Sequence, residues 1–213
     1  MIALFLFFAL PVVASYTAYY IIKPEGRTNY GELINPQRSL QALPVLPLNS
    51  STPVGSSKPV PASMLPLGQF KPTNGKWLML TLGPANCDAA CVQRLYYVRQ
   101  VRKTTGKEMD RVERVWLVTD DAVPDAKLLA EHEGMHVLRA NPEDIEALFS
   151  IGAGASKPTD AALSAHTLSS HTLSSHIYMV DPLGHLMLRF PSQADPSKMK
   201  KDLSKLLRAS RMG

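Results

Sequence analysis

The sequence predicts an α/β domain that follows an apolar N-terminal helix and a proline-rich linker. Three observations lead to this prediction. Residues 1–22 carry no charged side chain, prolines and short polar stretches dominate the next segment, and apolar runs of strand length alternate with helical patterns from residue 70 onward. We therefore divide the chain into a transmembrane anchor at 1–22, a linker at 23–69 and a globular domain at 70–213.

The first 22 residues are long enough to span a bilayer as a helix. Pro11 lies in the middle of this span, where membrane helices tolerate proline. Tyr16, Tyr19 and Tyr20 follow it and are placed like an interfacial aromatic belt. A cleaved signal peptide is the alternative, but the basic segment that normally opens one is missing. We expect an uncleaved anchor.

The side of the membrane on which the domain lies is the next question. Lys23 and Arg27 follow the span, and the positive-inside rule alone would place the domain in the cytoplasm. The cysteine pair described below favours an oxidising or metal-handling compartment outside it. We expect the exterior side.

The linker and the charge distribution exclude some roles. Eight prolines occur from Pro36 to Pro72, a composition typical of an extended, semi-rigid spacer. The net charge is +5, and the basic residues are scattered instead of forming a dense patch with interleaved aromatic residues. We therefore expect no nucleic-acid partner.

The globular domain alternates predicted strands and helices. Strands are predicted at 76–82, 114–119, 135–138, 176–181 and 185–190, and helices at 87–105, 124–134, 142–149 and 195–209. The turn at Pro182-Leu-Gly184 joins the last two strands into a hairpin. A parallel first half, a hairpin and a closing helix make a three-layer, thioredoxin-like layout. The apolar side of its first helix is predicted to consist of Val92, Leu95, Tyr96, Val98 and Val101.

The two cysteines of the chain are the strongest functional signal. Cys87 and Cys91 are four residues apart, just after a predicted buried strand and at the start of a predicted helix. A helix N-terminus lowers the pKa of a thiol, and the thiolate is the form that reacts or binds metal. With this spacing the sulfurs can form a disulfide or share a soft metal ion. Two buried cysteines that act only as small hydrophobic residues are the less favoured alternative.

Other polar residues are weaker candidates. The unit His-Thr-Leu-Ser-Ser occurs twice between His166 and His176, and we favour a tandem duplication in a surface loop over a metal-binding tract. His132 and His136 are interpreted as surface or loop residues, because Gly134 between them ends a helix. Asp120 follows a strand near the cysteine loop, where a role in the turn is expected.

These residues resemble the Sco/SenC family of copper-binding cytochrome oxidase assembly proteins. The features that carry the resemblance are Cys87-Asp-Ala-Ala-Cys91 after a strand, and His176 directly before Ile-Tyr-Met-Val-Asp-Pro-Leu-Gly184. The similarity extends over roughly residues 70–209. The chain departs from the family pattern at Val92, where the family usually has proline.

The resemblance implies a membrane-anchored copper metallochaperone on the periplasmic side of the bacterial inner membrane. Its metal ligands would be Cys87, Cys91 and His176, with His171 and then His166 as alternatives for the histidine. Two thiolates suit Cu(I), and an imidazole completes a site that also holds Cu(II). The implied partner is the copper-site subunit of a terminal oxidase.

Two other functions remain open. In a thiol-disulfide oxidoreductase, Cys87 and Cys91 would be the redox pair that keeps the copper-site cysteines of the oxidase reduced. The other alternative is a non-catalytic, membrane-anchored scaffold for oxidase assembly.

Overall fold

The computed structural model describes residues 2–17, 20, 29–48, 64–149 and 173–210. They form an N-terminal helix and an eight-stranded sheet with helices on both faces. The strands are β1 (Glu32–Ser39), β2 (Pro44–Pro47), β3 (Leu65–Pro66), β4 (Trp77–Gly83), β5 (Val112–Val118), β6 (His136–Arg139), β7 (Ile177–Val180) and β8 (His185–Phe190). The α-helices are α1 (Ile2–Thr17), α2 (Ala89–Thr104), α3 (Ala126–Glu131), α4 (Pro142–Phe149) and α5 (Pro196–Ala209).

The strand order in the sheet is β1-β8-β7-β4-β5-β6-β2-β3. Strands β4, β5 and β6 are parallel, and the hairpin of β7 and β8 joins them with β7 antiparallel to β4. We call the side where the three parallel strands end the carboxyl edge and the side where they begin the amino edge. This arrangement confirms the predicted parallel first half followed by a hairpin.

Helices cover both faces of the sheet and make three layers. Along β4, Leu78, Leu80 and Leu82 face the cluster that includes α4, while Trp77 and Met79 face the opposite cluster. That second face is covered by α2 and α5, and next to them α3 packs over the ends of β5 and β6. Alternating side chains of one buried strand therefore serve two cores.

The segment before residue 70 corrects the predicted linker. Strand β1 pairs antiparallel with β8, and β2 pairs antiparallel with β6. Between them Leu40 and Leu43 are buried in the same core as α4. The fold therefore begins before Phe70, and part of the predicted linker belongs to the sheet. The sequence pattern does not predict these strands because they are short and gain stability only by pairing with β8 and β6, which lie far along the chain.

The N-terminal helix α1 has 16 residues. Within the ranges given above, no helix has both the length and the apolar character needed to cross a bilayer.

Candidate functional site

The cysteine pair lies at the carboxyl edge, between the end of β4 and the start of α2. Cys87 and Cys91 form a disulfide, with their Cα atoms 5.3 Å apart. Cys91 is only 4% exposed and packs in a cluster with Leu95 and Trp116, whereas Cys87 is half-buried. Cys87 is therefore the more accessible residue of the pair, and Cys91 is held in the core.

Asp88, between the two cysteines, decides where α2 begins. Its carboxylate accepts a hydrogen bond of 2.7 Å from the backbone N–H of Cys91, and its carbonyl accepts one of 2.9 Å from Val92. Asp88 is the N-cap, and the helix begins at Ala89 instead of at residue 87 as predicted. Cys87 thus precedes the helix and Cys91 lies in its first turn. Asp in the Cys-Asp-Ala-Ala-Cys sequence was the available signal for this cap.

A second aspartate ties the cysteine loop to the neighbouring strand. The Asp120 carboxylate, just past β5, accepts a hydrogen bond of 3.0 Å from the backbone N–H of Ala85. The backbone of Thr119 donates to the carbonyl of Gly83 at 3.1 Å. These contacts fix the loop that carries Cys87, and they agree with the turn role expected for Asp120.

The hairpin brings His176 to the same edge of the sheet. Ile177, the first residue of β7, is paired with Thr81 near the end of β4, so the residue before it lies at the carboxyl edge. The backbone N–H of His176 donates to the carbonyl of Leu173 at 3.4 Å, and its Nδ1 lies 3.1 Å from the Ser175 hydroxyl. The two alternative ligands, His166 and His171, lie outside the described residues.

The Tyr178 hydroxyl anchors the segment that carries His176. It donates a hydrogen bond of 3.1 Å to the carbonyl of Leu173. The tyrosine is fully buried, and this burial raises its pKa well above the ordinary value of 10.0. Tyr178 therefore remains a neutral hydrogen-bond donor and fixes the chain before β7. Sequence reasoning did not single it out, because its role depends on a contact made after folding.

Once the disulfide is reduced, the sulfurs of Cys87 and Cys91 could both bind one copper ion, since they lie next to each other in the fold. Across the part of the chain that the structure describes, no three His, Cys, Asp or Glu side chains lie close enough to hold a metal ion.

The histidines at 132 and 136 agree only in part with their prediction as surface or loop residues. His132 is 3% exposed, and its pKa is lowered mainly by burial and further by the nearby positive charges of Arg99 and Arg114. His136 is half-buried, and its Nε2 lies 3.6 Å from the Glu113 carboxylate. His132 thus lies in a loop as predicted but is buried there, whereas His136 lies in β6 and not in a loop.

A groove of about 480 Å³ opens beside Cys87. The half-buried cysteine and Val92 line it together with Val123 and Leu128. The sequence prediction placed Val92 and Tyr96 on the apolar, core-facing side of the helix, but both are exposed, while Leu95 and Val98 are buried. The reason is that α2 packs its buried side on the sheet and on α5, and nothing in the described structure covers its outer side.

Comparison with known proteins assigns the fold. A family model described as the transmembrane-like, thioredoxin-like, C-terminal domain matches residues 77–158 and 154–210, more than half of the chain. This chain belongs to that thioredoxin-like family. The predicted thioredoxin-like α/β fold is thereby confirmed. No curated protein matches the sequence significantly.

The thioredoxin-like chain is also similar to solved structures of Sco proteins. It matches yeast Sco1 with copper bound at 13% identity and a TM-score of 0.52, covering 85% of this chain and 90% of that one. For a second yeast Sco1 structure the identity and TM-score are the same, and 85% of this chain and 99% of that chain are covered. Apo Sco1 from Thermus thermophilus matches at 16% identity and a TM-score of 0.49, with 87% and 98% coverage. The two yeast Sco1 structures confirm the resemblance to Sco/SenC proteins at the level of the fold.

Proposed function

We propose that this protein is a copper metallochaperone that binds one copper ion through reduced Cys87 and Cys91, with His176 as the third ligand. The observation that supports the proposal is that the Cys87–Cys91 pair and the start of β7, which follows His176, both lie at the carboxyl edge of the sheet. The yeast Sco1 structure that shares this fold has copper bound. The recipient would be the copper-site subunit of a terminal oxidase.

Copper binding requires the pair to be reduced. Two electrons and two protons from a thiol reductant convert the Cys87–Cys91 disulfide to two thiols, and the bound metal displaces the protons. The more accessible Cys87 would then be the ligand open to transfer, while buried Cys91 remains fixed. The segment 173–176 must bring His176 to the sulfurs, since the described residues of the disulfide form contain no group of three metal ligands.

The test is an anaerobic Cu(I) titration of the reduced full chain in detergent against a competing chelator. We expect one tightly bound copper ion per chain. Replacing both cysteines by serine should abolish binding, and His176→Ala should weaken it about tenfold or more. His185→Ala is the matched control, because His185 opens β8 at the amino edge and contacts Asp181 instead. Full copper binding by the double serine variant would disprove the proposal.

A thiol-disulfide oxidoreductase is the second candidate, and the exposure difference within the cysteine pair supports it. The Cys87 thiolate would attack a partner disulfide, form a mixed disulfide and release one partner thiolate. Attack by Cys91 on Cys87 would release the second thiolate, leaving the pair oxidised and the partner reduced by two electrons. Turnover of model disulfides with no tight copper binding would favour this function. If neither activity is found, the scaffold role remains.

The membrane location belongs to the proposal as well. The uncharged stretch 1–22 would anchor the chain in the bacterial inner membrane, with the thioredoxin-like domain on the periplasmic side. Carbonate extraction of membranes tests the anchor, and protease digestion of intact spheroplasts tests the side. Release by carbonate, or protection of the domain from the protease, would contradict this location.

A further inference from the structure

We propose that the basic side of α5 docks on the headgroups of an anionic phospholipid bilayer and so orients the domain at the membrane. This basic side consists of Lys198, Lys201, Lys205 and Arg208, which are all exposed. The inference rests on the proposed membrane location, because it adds a second contact with the bilayer to the anchor at 1–22.

The charge of α5 is concentrated on its solvent side. Spacings of three and four residues place the four basic side chains on one side of the helix. The buried side is apolar and includes Met199, Leu203 and Leu207. Asp202 is the only acidic residue of α5, and it is 3% exposed because its carboxylate accepts a hydrogen bond of 2.9 Å from the backbone N–H of Gly31. The solvent side of the helix therefore carries only positive charges.

The chain enters the domain against this helix. The Tyr30 hydroxyl accepts a hydrogen bond of 3.0 Å from the backbone N–H of Asp195, the residue before α5. The Nζ of Lys198 lies over the Tyr30 ring, 5.2 Å from its centroid. The next residue, Gly31, is held by Asp202. The segment that leads back to the predicted anchor therefore departs from the surface of α5.

The distance back to the predicted anchor is short. Seven residues, 23–29, separate the anchor at 1–22 from Tyr30. A segment of seven residues spans at most about 25 Å when it is fully extended. Because Tyr30 contacts the start of α5, this helix is held within reach of the headgroups next to the anchor.

The chemistry of the basic side favours lipid headgroups over other anionic partners. Each basic side chain close to an anionic bilayer surface strengthens binding by about fivefold. Helix α5 contains no aromatic residue on which the bases of a nucleic acid could stack. It also exposes no large apolar side chain of the kind that forms the centre of a protein interface. Positive charge without such residues matches a layer of phosphate groups.

Lipid quenching of a fluorescent label tests this docking. The oxidised full chain is reconstituted from detergent into neutral phosphatidylcholine vesicles, or into vesicles that also contain phosphatidylglycerol. Both contain the same fraction of lipid with a nitroxide quencher on its headgroup. Both native cysteines are in the disulfide, so a cysteine introduced by Ser197→Cys, on the exposed first turn of α5, can be labelled selectively. The control label is introduced by Glu143→Cys on α4, which covers the opposite face of the sheet.

We expect the label on α5 to be quenched at least about twofold more in the anionic vesicles, because the four basic side chains bring α5 to the headgroups. Raising the salt concentration to about 1 M should abolish the difference, since it shortens the screening length to about 3 Å. Lys201→Gln with Arg208→Gln should lower the ratio of docked to undocked domain by about tenfold or more. The matched control removes two exposed lysines from other elements, Lys71→Gln with Lys127→Gln, and should keep the quenching.

Three outcomes would overturn the inference. Equal quenching of the α5 label in the two kinds of vesicle would show that α5 does not respond to anionic lipid. Equal quenching of the label on α4 would show that the domain has no preferred orientation. An equal loss in the control variant would show that net charge matters and the basic side does not.

Flotation with the neutral vesicles distinguishes the docking from the anchor. A chain that floats with them, yet shows no additional α5 quenching in anionic vesicles, would retain the anchor and overturn the docking. A chain that fails to float with neutral vesicles, but binds anionic ones through Lys201 and Arg208, would overturn the anchor and support the basic side as a membrane-binding surface. Neither result depends on copper, because the chain is tested with its disulfide intact.

Discussion

The two edges of the parallel strands are built from different chemistry. At the amino edge the Glu113 carboxylate lies 2.6 Å from Lys76, 3.8 Å from Arg102 and 3.6 Å from His136. At the carboxyl edge the partly buried Cys87 lines a groove together with exposed valines. At the first edge the Glu113 carboxylate is paired within the fold, and at the second exposed valines border the cysteine pair. Mutations at the two edges should therefore have different effects.

The largest expected effect is on stability, at the amino edge. Glu113→Ala leaves three basic side chains around a buried position without their carboxylate, which should cost about 3 kcal/mol in the free energy of unfolding. Urea denaturation measures it. The control is Glu32→Ala, which removes a carboxylate from a more exposed pair with Arg189 and should cost at most about 0.5 kcal/mol. Equal losses in the two variants would show that the Glu113 cluster has no special role.

Acidification should weaken the same cluster, but by less than the alanine substitution. Burial raises the pKa of Glu113, yet hydrogen bonds from His136 and Lys76 and the charges of Lys76 and Arg102 outweigh burial and lower it below the ordinary 4.5. The stabilisation is thus complete above pH 4.5 and is lost as the pH falls through the lower value of the folded state. Glu113→Gln should flatten this part of the profile of stability against pH. An unchanged profile would contradict the assignment.

A smaller effect is expected at the carboxyl edge, at the start of α2. Asp88→Ala removes the N-cap hydrogen bond to Cys91 and should cost about 1 kcal/mol in the free energy of unfolding. Asp88→Ser retains a capping hydroxyl and is the matched control, with most of the stability kept. Both are measured by urea denaturation of the oxidised chain. Equal stability of the alanine and serine variants would show that the cap contributes little.

The smallest effect is expected at the exposed wall of the groove. Val123→Ser should change the free energy of unfolding by less than about 0.5 kcal/mol, because the side chain is 87% exposed. Leu95→Ala, on the buried side of α2, should cost at least about 2 kcal/mol in the same measurement. A large loss from Val123→Ser would mean that this residue serves the fold, and the contrast between the edges would disappear.

Strand β4 and helix α5 were predictable because the sequence signals for them are local. Strand β4 was predicted at 76–82 and spans Trp77–Gly83, and α5 was predicted at 195–209 and spans Pro196–Ala209. A buried strand is a continuous apolar run, and Asp195 followed by Pro196 is a recognisable helix start, with an N-cap residue before a proline. The cysteine pair was identified in the same way, from its place between a strand and a helix.

The sequence by itself determined the α/β alternation, the cysteine pair and the hairpin that follows His176. The tertiary structure alone decided that residues 29–48 supply strands at two places in the sheet, and that Val92 and Tyr96 face outward while Leu95 faces the core. The physical reason is the range of the interactions. Apolar periodicity and capping act over a few residues, whereas strand pairing and the burial of a helix side depend on neighbours that only the complete fold provides.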